Sequence, residues 1–164
     1  MSVTRIGAVL PDGLDAGHGN EERARQVAAL VWRPSASGLD VLLVTSRETR
    51  RWVLPKGWPI DGKSAADSAL QEAWEEAGAI AVPADQPLGT YQYDKVLEDG
   101  TLLPCRVDVF SLPVARLADE WPEMMLRTRR WYGAEAAALL VAEPDLAVLL
   151  REFGRNVPAA VEQC

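Results

Sequence analysis

Apolar and polar positions fall into blocks whose period separates strands from helices. "RQVAALVWR" at 25–33 is a nearly unbroken apolar run, the pattern of a strand covered on both faces. "PSASG" supplies a turn, and "LDVLLVTSR" at 39–47 returns as the second arm of a hairpin. "RWVLP" at 51–55 is a third, short extended piece, and "KGWPIDG" at 56–62 is a loop punctuated by Gly and Pro. The period then changes. Ala66, Ala69, Leu70, Ala73 and Ala77 recur at helical spacing as a stripe of small residues, ending at Gly78, a residue suited to a helix C-terminus. Ser64 is the expected N-cap, with Asp67 completing an approximate capping box.

After "AIAVP", two further strands are expected at 88–97 and 102–114, joined by the turn "EDG". An acidic connection bearing a tryptophan covers 117–126, followed by "RTRRWYG". The stretch 134–154 holds two helices, with Pro144 opening the second. Five or six strands interleaved with helices predict an α/β fold, a mixed sheet sandwiched between helices. No repeat or linker breaks 21–164, which reads as one domain behind a flexible leader at 1–20 with a short strand at 3–6. The leader carries the single histidine, His18, read as solvated.

Composition sharpens this picture modestly. The chain of 164 residues is 48% hydrophobic and 25% charged, ordinary for a water-soluble globular domain. No apolar run nears the roughly 20 residues that span a bilayer, so no membrane partner is expected. Two cysteines, Cys105 in an expected strand and Cys164 at the chain end, do not make a disulfide framework; a cytoplasmic location is expected. A net charge of −7 argues against a nucleic-acid polymer as partner. Basic residues are nevertheless clustered, at Arg23 and Arg25, at Arg47, Arg50, Arg51 and Lys56, and at Arg127, Arg129 and Arg130. Such clusters suit a small polyanion. Of the tryptophans, Trp32, Trp52, Trp121 and Trp131 read as core residues, while Trp58 and Trp74 stand nearer the candidate chemistry.

That chemistry lies on the 65–77 helix. Glu72, Glu75 and Glu76 sit off the small-residue stripe and within one turn of each other, where like charges repel by a few tenths of a kcal/mol. The cluster is either a solvated acidic face or a set of oxygen ligands for a hard cation. The surrounding stretch, "GWPIDGKSAADSALQEAWEEAGA" at 57–79, resembles the Nudix box. In that pattern a Gly is followed after five residues by Glu, and after seven more by Arg-Glu, an apolar residue, any residue, Glu-Glu, any residue, Gly and an apolar residue. Gly57, Glu72, Glu75, Glu76 and Gly78 fall at the matching positions, with Ala73 and Ala79 in the apolar slots. "LPKG" before the box is also typical of the family. Lys63 stands where the pattern has its first Glu, and Gln71 where it has Arg.

The resemblance implies the Nudix fold and a divalent-metal-dependent pyrophosphohydrolase. Water would attack phosphorus in a phosphoanhydride, with Mg²⁺ or Mn²⁺ held by Glu72, Glu75 and Glu76 beside Gly57. The proton acceptor is one of those glutamates, or Glu120 or Glu123 from the acidic connection. "RETRRWVLPKG", "ADEWPE" and "RTRRW" are similar to the diphosphoinositol polyphosphate and dinucleoside polyphosphate hydrolase branch. That likeness implies phosphate contacts from Arg25, Arg47, Arg127 and Arg129, with Lys56 and Lys63 beside them, in a monomer or homodimer. Lys63 and Gln71 also admit a silent module of the same fold that binds polyphosphates as a sensor.

Overall fold

The computed structural model describes residues 23–156. The leader at 1–20, with its expected strand at 3–6 and His18, lies outside the described residues, as does Cys164.

The apolar run becomes β1 (Ala24–Ser35), which turns through Gly38 at φ 126° into β2 (Gly38–Thr45), pairing Trp32 with Val41. β3 (Trp52–Val53) pairs with the end of β2 through Val44↔Val53 and Thr45↔Trp52. β6 (Gly89–Val96) and β7 (Leu102–Leu117) form the second hairpin, and β7 runs parallel to β1 from Ala24↔Cys105 to Trp32↔Pro113. One parallel junction among antiparallel ones makes the sheet mixed.

The described residues hold eight strands where five or six were expected. The additional ones are β4 (Lys56–Gly57) on β1, β5 (Ala79–Ala81) on the far end of β7, and β8 (Arg129–Gly133) on β2. Each is two to five residues long, too short to show a period of its own. Pairing with a longer partner makes them strands. In particular, the expected loop at 56–62 starts with two residues locked to β1, Val27 opposite Gly57 and Ala28 opposite Lys56.

Helices cover both faces. α1 (Ala65–Ala77) brings Ala69, Ala73 and Ala77, all fully buried, onto Val27, Ala29 and Val31 of β1, with Leu42, Val44, Phe110 and Leu112 around them. α2 (Ala134–Leu140) and α3 (Pro144–Arg155) pack through Ala137, Ala138, Leu146, Leu150 and Phe153 onto Ala28, Leu30 and Trp32. Odd positions of β1 thus face one helix layer and even positions the other, which is why the run carries almost no polar residue. Trp32 meets Phe153 edge-on in this second layer, with ring centroids 5.7 Å apart.

α1 ends as its sequence dictates. Ser64 Oγ accepts from the Asp67 N–H at 3.0 Å, and Gly78 takes the left-handed conformation at φ 63°. A side chain at Gly78 would be doubly penalised, because its Cβ would also fall 2.7 Å from the Trp121 ring. That ring is stacked in turn under the Arg129 guanidinium at 3.9 Å. Arg129 also donates to the Ala77 carbonyl at 3.0 Å, giving the helix terminus the cation its own last turn lacks.

Candidate active site

Glu72 and Glu76 of α1 meet β4. Gly57 on β4 has no side chain, and the Glu72 carboxyl lies directly against its backbone: a Cβ there would come 2.6 Å from Glu72 Cδ. The loop between them is tied down by Ser68, which is buried and accepts from the Ile60 N–H at 2.9 Å. Glycine at 57 is therefore a condition for the close approach of the Glu72 carboxyl to the strand.

Glu76 is buried and held through both oxygens. Oε1 accepts from the Lys56 N–H at 3.2 Å, and Oε2 pairs with Arg127 Nη2 at 3.4 Å. Its own carbonyl accepts from the Trp121 indole at 3.1 Å. Glu75 accepts from Gln71 Nε2 at 2.6 Å, and its backbone carbonyl receives the Glu123 N–H at 3.0 Å. That last bond brings a fourth carboxylate to the helix, and Arg127 Nε holds it at 2.7 Å. Of the two acidic-connection candidates, Glu123 joins the cluster and Glu120 stays exposed.

The electrostatics follow from this crowding. Burial, then the charges of Glu76, Glu75 and Glu123, push the Glu72 carboxyl up to about 8 from an ordinary 4.5. Burial also raises Glu76, against the pull of Arg127 and of Lys56. Lys56 itself is lowered by burial, and its Nζ lies 4.9 Å from the centre of the Tyr93 ring. Tyr93 donates to Gln26 Oε1 at 2.6 Å, forming a polar floor on the α2–α3 side of the sheet. Residue types had not singled out Tyr93 or Gln26. The available signal was a glutamine at an inward, even position of an otherwise apolar strand.

The structure therefore brings Glu72, Glu75, Glu76, Gly57, Lys56 and Arg127 together. Arg129 stands behind them on Trp121, bonded to the helix end. Arg25, Arg47 and Lys63 are exposed. Arg25 shares a face of β1 with Val27, the partner of Gly57, and Arg47 follows the end of β2.

Among the described residues, no three carboxylate, thiol or imidazole groups already surround one point as a finished metal site. The donor chemistry nonetheless fits a hard divalent ion: the four glutamates supply only oxygen.

The match to the family model decides the affiliation: the NUDIX domain model covers residues 22–153. The chain belongs to the Nudix family. It is 33% identical over 120 residues to "Nudix hydrolase 12, mitochondrial" of Arabidopsis thaliana, covering 71% of this chain and 59% of that protein. The chain thus spans about three-fifths of the length of that relative. It is 26% identical over 115 residues to "Diphosphoinositol polyphosphate phosphohydrolase 3-alpha" of Mus musculus, covering 69% of this chain and 66% of that one. The crystal structure of C. elegans Ap4A hydrolase superposes with a TM-score of 0.56 at 17% identity, over 83% of this chain and 99% of that one. The Nudix sandwich of mixed sheet and helices is thereby the fold of this chain. No helix among the described residues is long and apolar enough to cross a membrane.

Proposed function

We propose that this Nudix protein hydrolyses a phosphoanhydride bond in a polyphosphorylated substrate, of the dinucleoside polyphosphate or diphosphoinositol polyphosphate type. The observation that supports this reading best is the grouping of Glu72, Glu75, Glu76 and Glu123 on and beside α1, with Glu72 against Gly57 and Glu76 gripped through both oxygens. Glu72, Glu75 and Glu76, with Gly57 beside them, would hold Mg²⁺ or Mn²⁺. Such an ion supplies charge neutralisation on the phosphates and makes water a better nucleophile.

The chain's own groups do the rest. Glu76, fixed between Lys56 N–H and Arg127, keeps its lone pairs in one direction. A carboxylate of the cluster takes the proton that water loses as it attacks phosphorus, and the leaving phosphate departs with the other half of the substrate. Lys56, whose backbone N–H holds Glu76, and the exposed Arg25, Arg47 and Lys63 would supply cations to the phosphates. The phosphohydrolase name of the mouse relative supports the choice of a densely phosphorylated substrate. A cytoplasmic monomer or homodimer completes the reading, with no nucleic-acid polymer as partner.

Gln71 favours a second reading, a polyphosphate sensor without turnover, because it meets Glu75 with a neutral amide. A phosphate-release screen across nucleotides, dinucleoside polyphosphates and inositol pyrophosphates, with and without Mg²⁺, separates the two. Mg²⁺-dependent release from a substrate with several phosphates is expected. Tight binding of such compounds with no release under any condition gives the sensor its case.

A further inference from the structure

Arg127 was expected to reach for substrate phosphate, and its surroundings give it a different task. We infer that Arg127 is a positioning residue that sets Glu76 and Glu123 against the rest of the carboxylate cluster, and is not a substrate arm. The inference deepens the proposed function, since it rests on these carboxylates holding a divalent ion.

Each guanidinium nitrogen already has a protein acceptor. Nε donates to Glu123 at 2.7 Å, Nη1 to the Thr45 carbonyl at 3.1 Å, and Nη2 faces Glu76 at 3.4 Å. Only 11% of the side chain is exposed. Arginine grips a phosphate best with two parallel N–H groups on one edge. Here the nitrogens are committed to three targets on three different elements: the acidic connection, the end of β2, and α1.

The backbone that carries Arg127 is built to keep it there. At one end the Glu123 N–H donates to Glu75 of α1 at 3.0 Å. At the other, the Thr45 N–H donates to the Thr128 carbonyl at 3.0 Å, and the Thr128 N–H donates to Thr45 Oγ1 at 2.9 Å. Arg50 adds donations to the Leu126 carbonyl at 3.2 Å and to Thr128 Oγ1 at 3.3 Å. It makes them from a left-handed backbone, φ 60°, a conformation that costs a non-glycine residue on the order of 1 kcal/mol or more. Segment 123–128 is thus clamped at both ends, with Arg127 between the clamps.

The decisive test is a substrate-free Mn²⁺ titration, because charge and geometry predict opposite signs. Taking a cation out of a carboxylate cluster should tighten metal binding if Arg127 acts only through its charge. If it acts by positioning, Arg127→Ala should weaken Mn²⁺ binding by about tenfold or more, the scale for groups that orient metal ligands. Arg127→Lys, which keeps the charge but cannot serve three directions at once, should also bind Mn²⁺ more weakly than the wild type. It secures the test should the alanine variant fold poorly. With a dinucleoside tetraphosphate and Mg²⁺, kcat should fall by about tenfold or more in both variants while KM stays within about twofold. Unchanged or tighter Mn²⁺ binding, or a steep rise in KM with kcat intact, would overturn the positioning role. A wild type that binds no Mn²⁺ would instead overturn the metal reading beneath it, an outcome distinguishable before any variant is made.

Discussion

At the scale of single residues, the site is defined by what each carboxyl touches. Glu72 is packed against Gly57, so Gly57→Ala must displace either the Glu72 carboxyl or β4. Activity should drop by about tenfold or more, as for other small displacements of catalytic groups, while the fold survives; an alanine variant with full kcat would mean that Glu72 does not work from this position. The raised proton affinity of Glu72 has a defined consequence for stability. A carboxyl that holds its proton more tightly folded than unfolded contributes stability that is complete below the ordinary value of 4.5 and is lost as pH rises through about 8. Glu76 shifts in the same direction. In EDTA the melting temperature should therefore decline as pH rises from about 5 to about 8, and added Mg²⁺ should recover most of the loss at the upper end. A flat melting profile in EDTA would show that the cluster carries no such strain. Much of this scale was readable in the sequence, because box spacing singled out Glu72, Glu75, Glu76 and Gly57 together. The partners of Arg127 were not. They come from three elements far apart along the chain, and residue type alone gives an arginine no preference between a phosphate and a carboxylate.

At the scale of elements, periodicity was a good guide wherever an element was long enough to have one. The Ala69, Ala73 and Ala77 stripe announced a helix pressed close to a sheet, and all three are fully buried. β1 announced burial on both faces and receives a helix layer on each. β4, β5 and β8 stayed hidden because their strand character is lent by β1, β7 and β2. The stripe is also a constraint. Ala73→Leu would force a larger side chain between α1 and the sheet and should destabilise the protein by about 1–3 kcal/mol, measured by chemical denaturation. It should also impair catalysis beyond that loss, since lifting α1 moves every glutamate away from Gly57. A leucine variant as stable and active as the wild type would show the helix seat to be looser than the buried alanines indicate. Trp121 ties this level to the previous one. It lies against Gly78, donates to the Glu76 carbonyl and carries the Arg129 guanidinium on its ring, so an aromatic expected merely in the core closes the end of the glutamate-bearing helix.

At the scale of the whole molecule, an acidic protein has to attract a polyanion through local charge. A net charge of −7 repels a phosphate chain at long range, and the repulsion is screened within roughly 10 Å at 0.1 M salt. Lys56, Arg25, Arg47 and Lys63 are the cations proposed above for the phosphates, and none of their side chains is bonded to a carboxylate or carbonyl of the cluster as those of Arg127 and Arg129 are. Substrates with four or more phosphates should be preferred over simple triphosphates, because only a long chain reaches from the cluster to these outer cations. If a plain triphosphate proves the best substrate, the polyphosphate assignment fails while the hydrolytic chemistry stands.

The central claim is that the buried, doubly held carboxylate of Glu76 belongs to a metal-dependent hydrolytic centre. Its most direct test is phosphate release from a dinucleoside tetraphosphate at saturating concentration, by wild type and Glu76→Gln, each with Mg²⁺ and with EDTA. The substitution keeps the side chain's size and its acceptor for the Lys56 N–H but removes the charge. The wild type should turn over only with Mg²⁺, and Glu76→Gln should be slower by about a hundredfold or more, the scale of losing one electrostatic stabiliser. Full turnover by the wild type in EDTA, or by Glu76→Gln in Mg²⁺, would contradict the account.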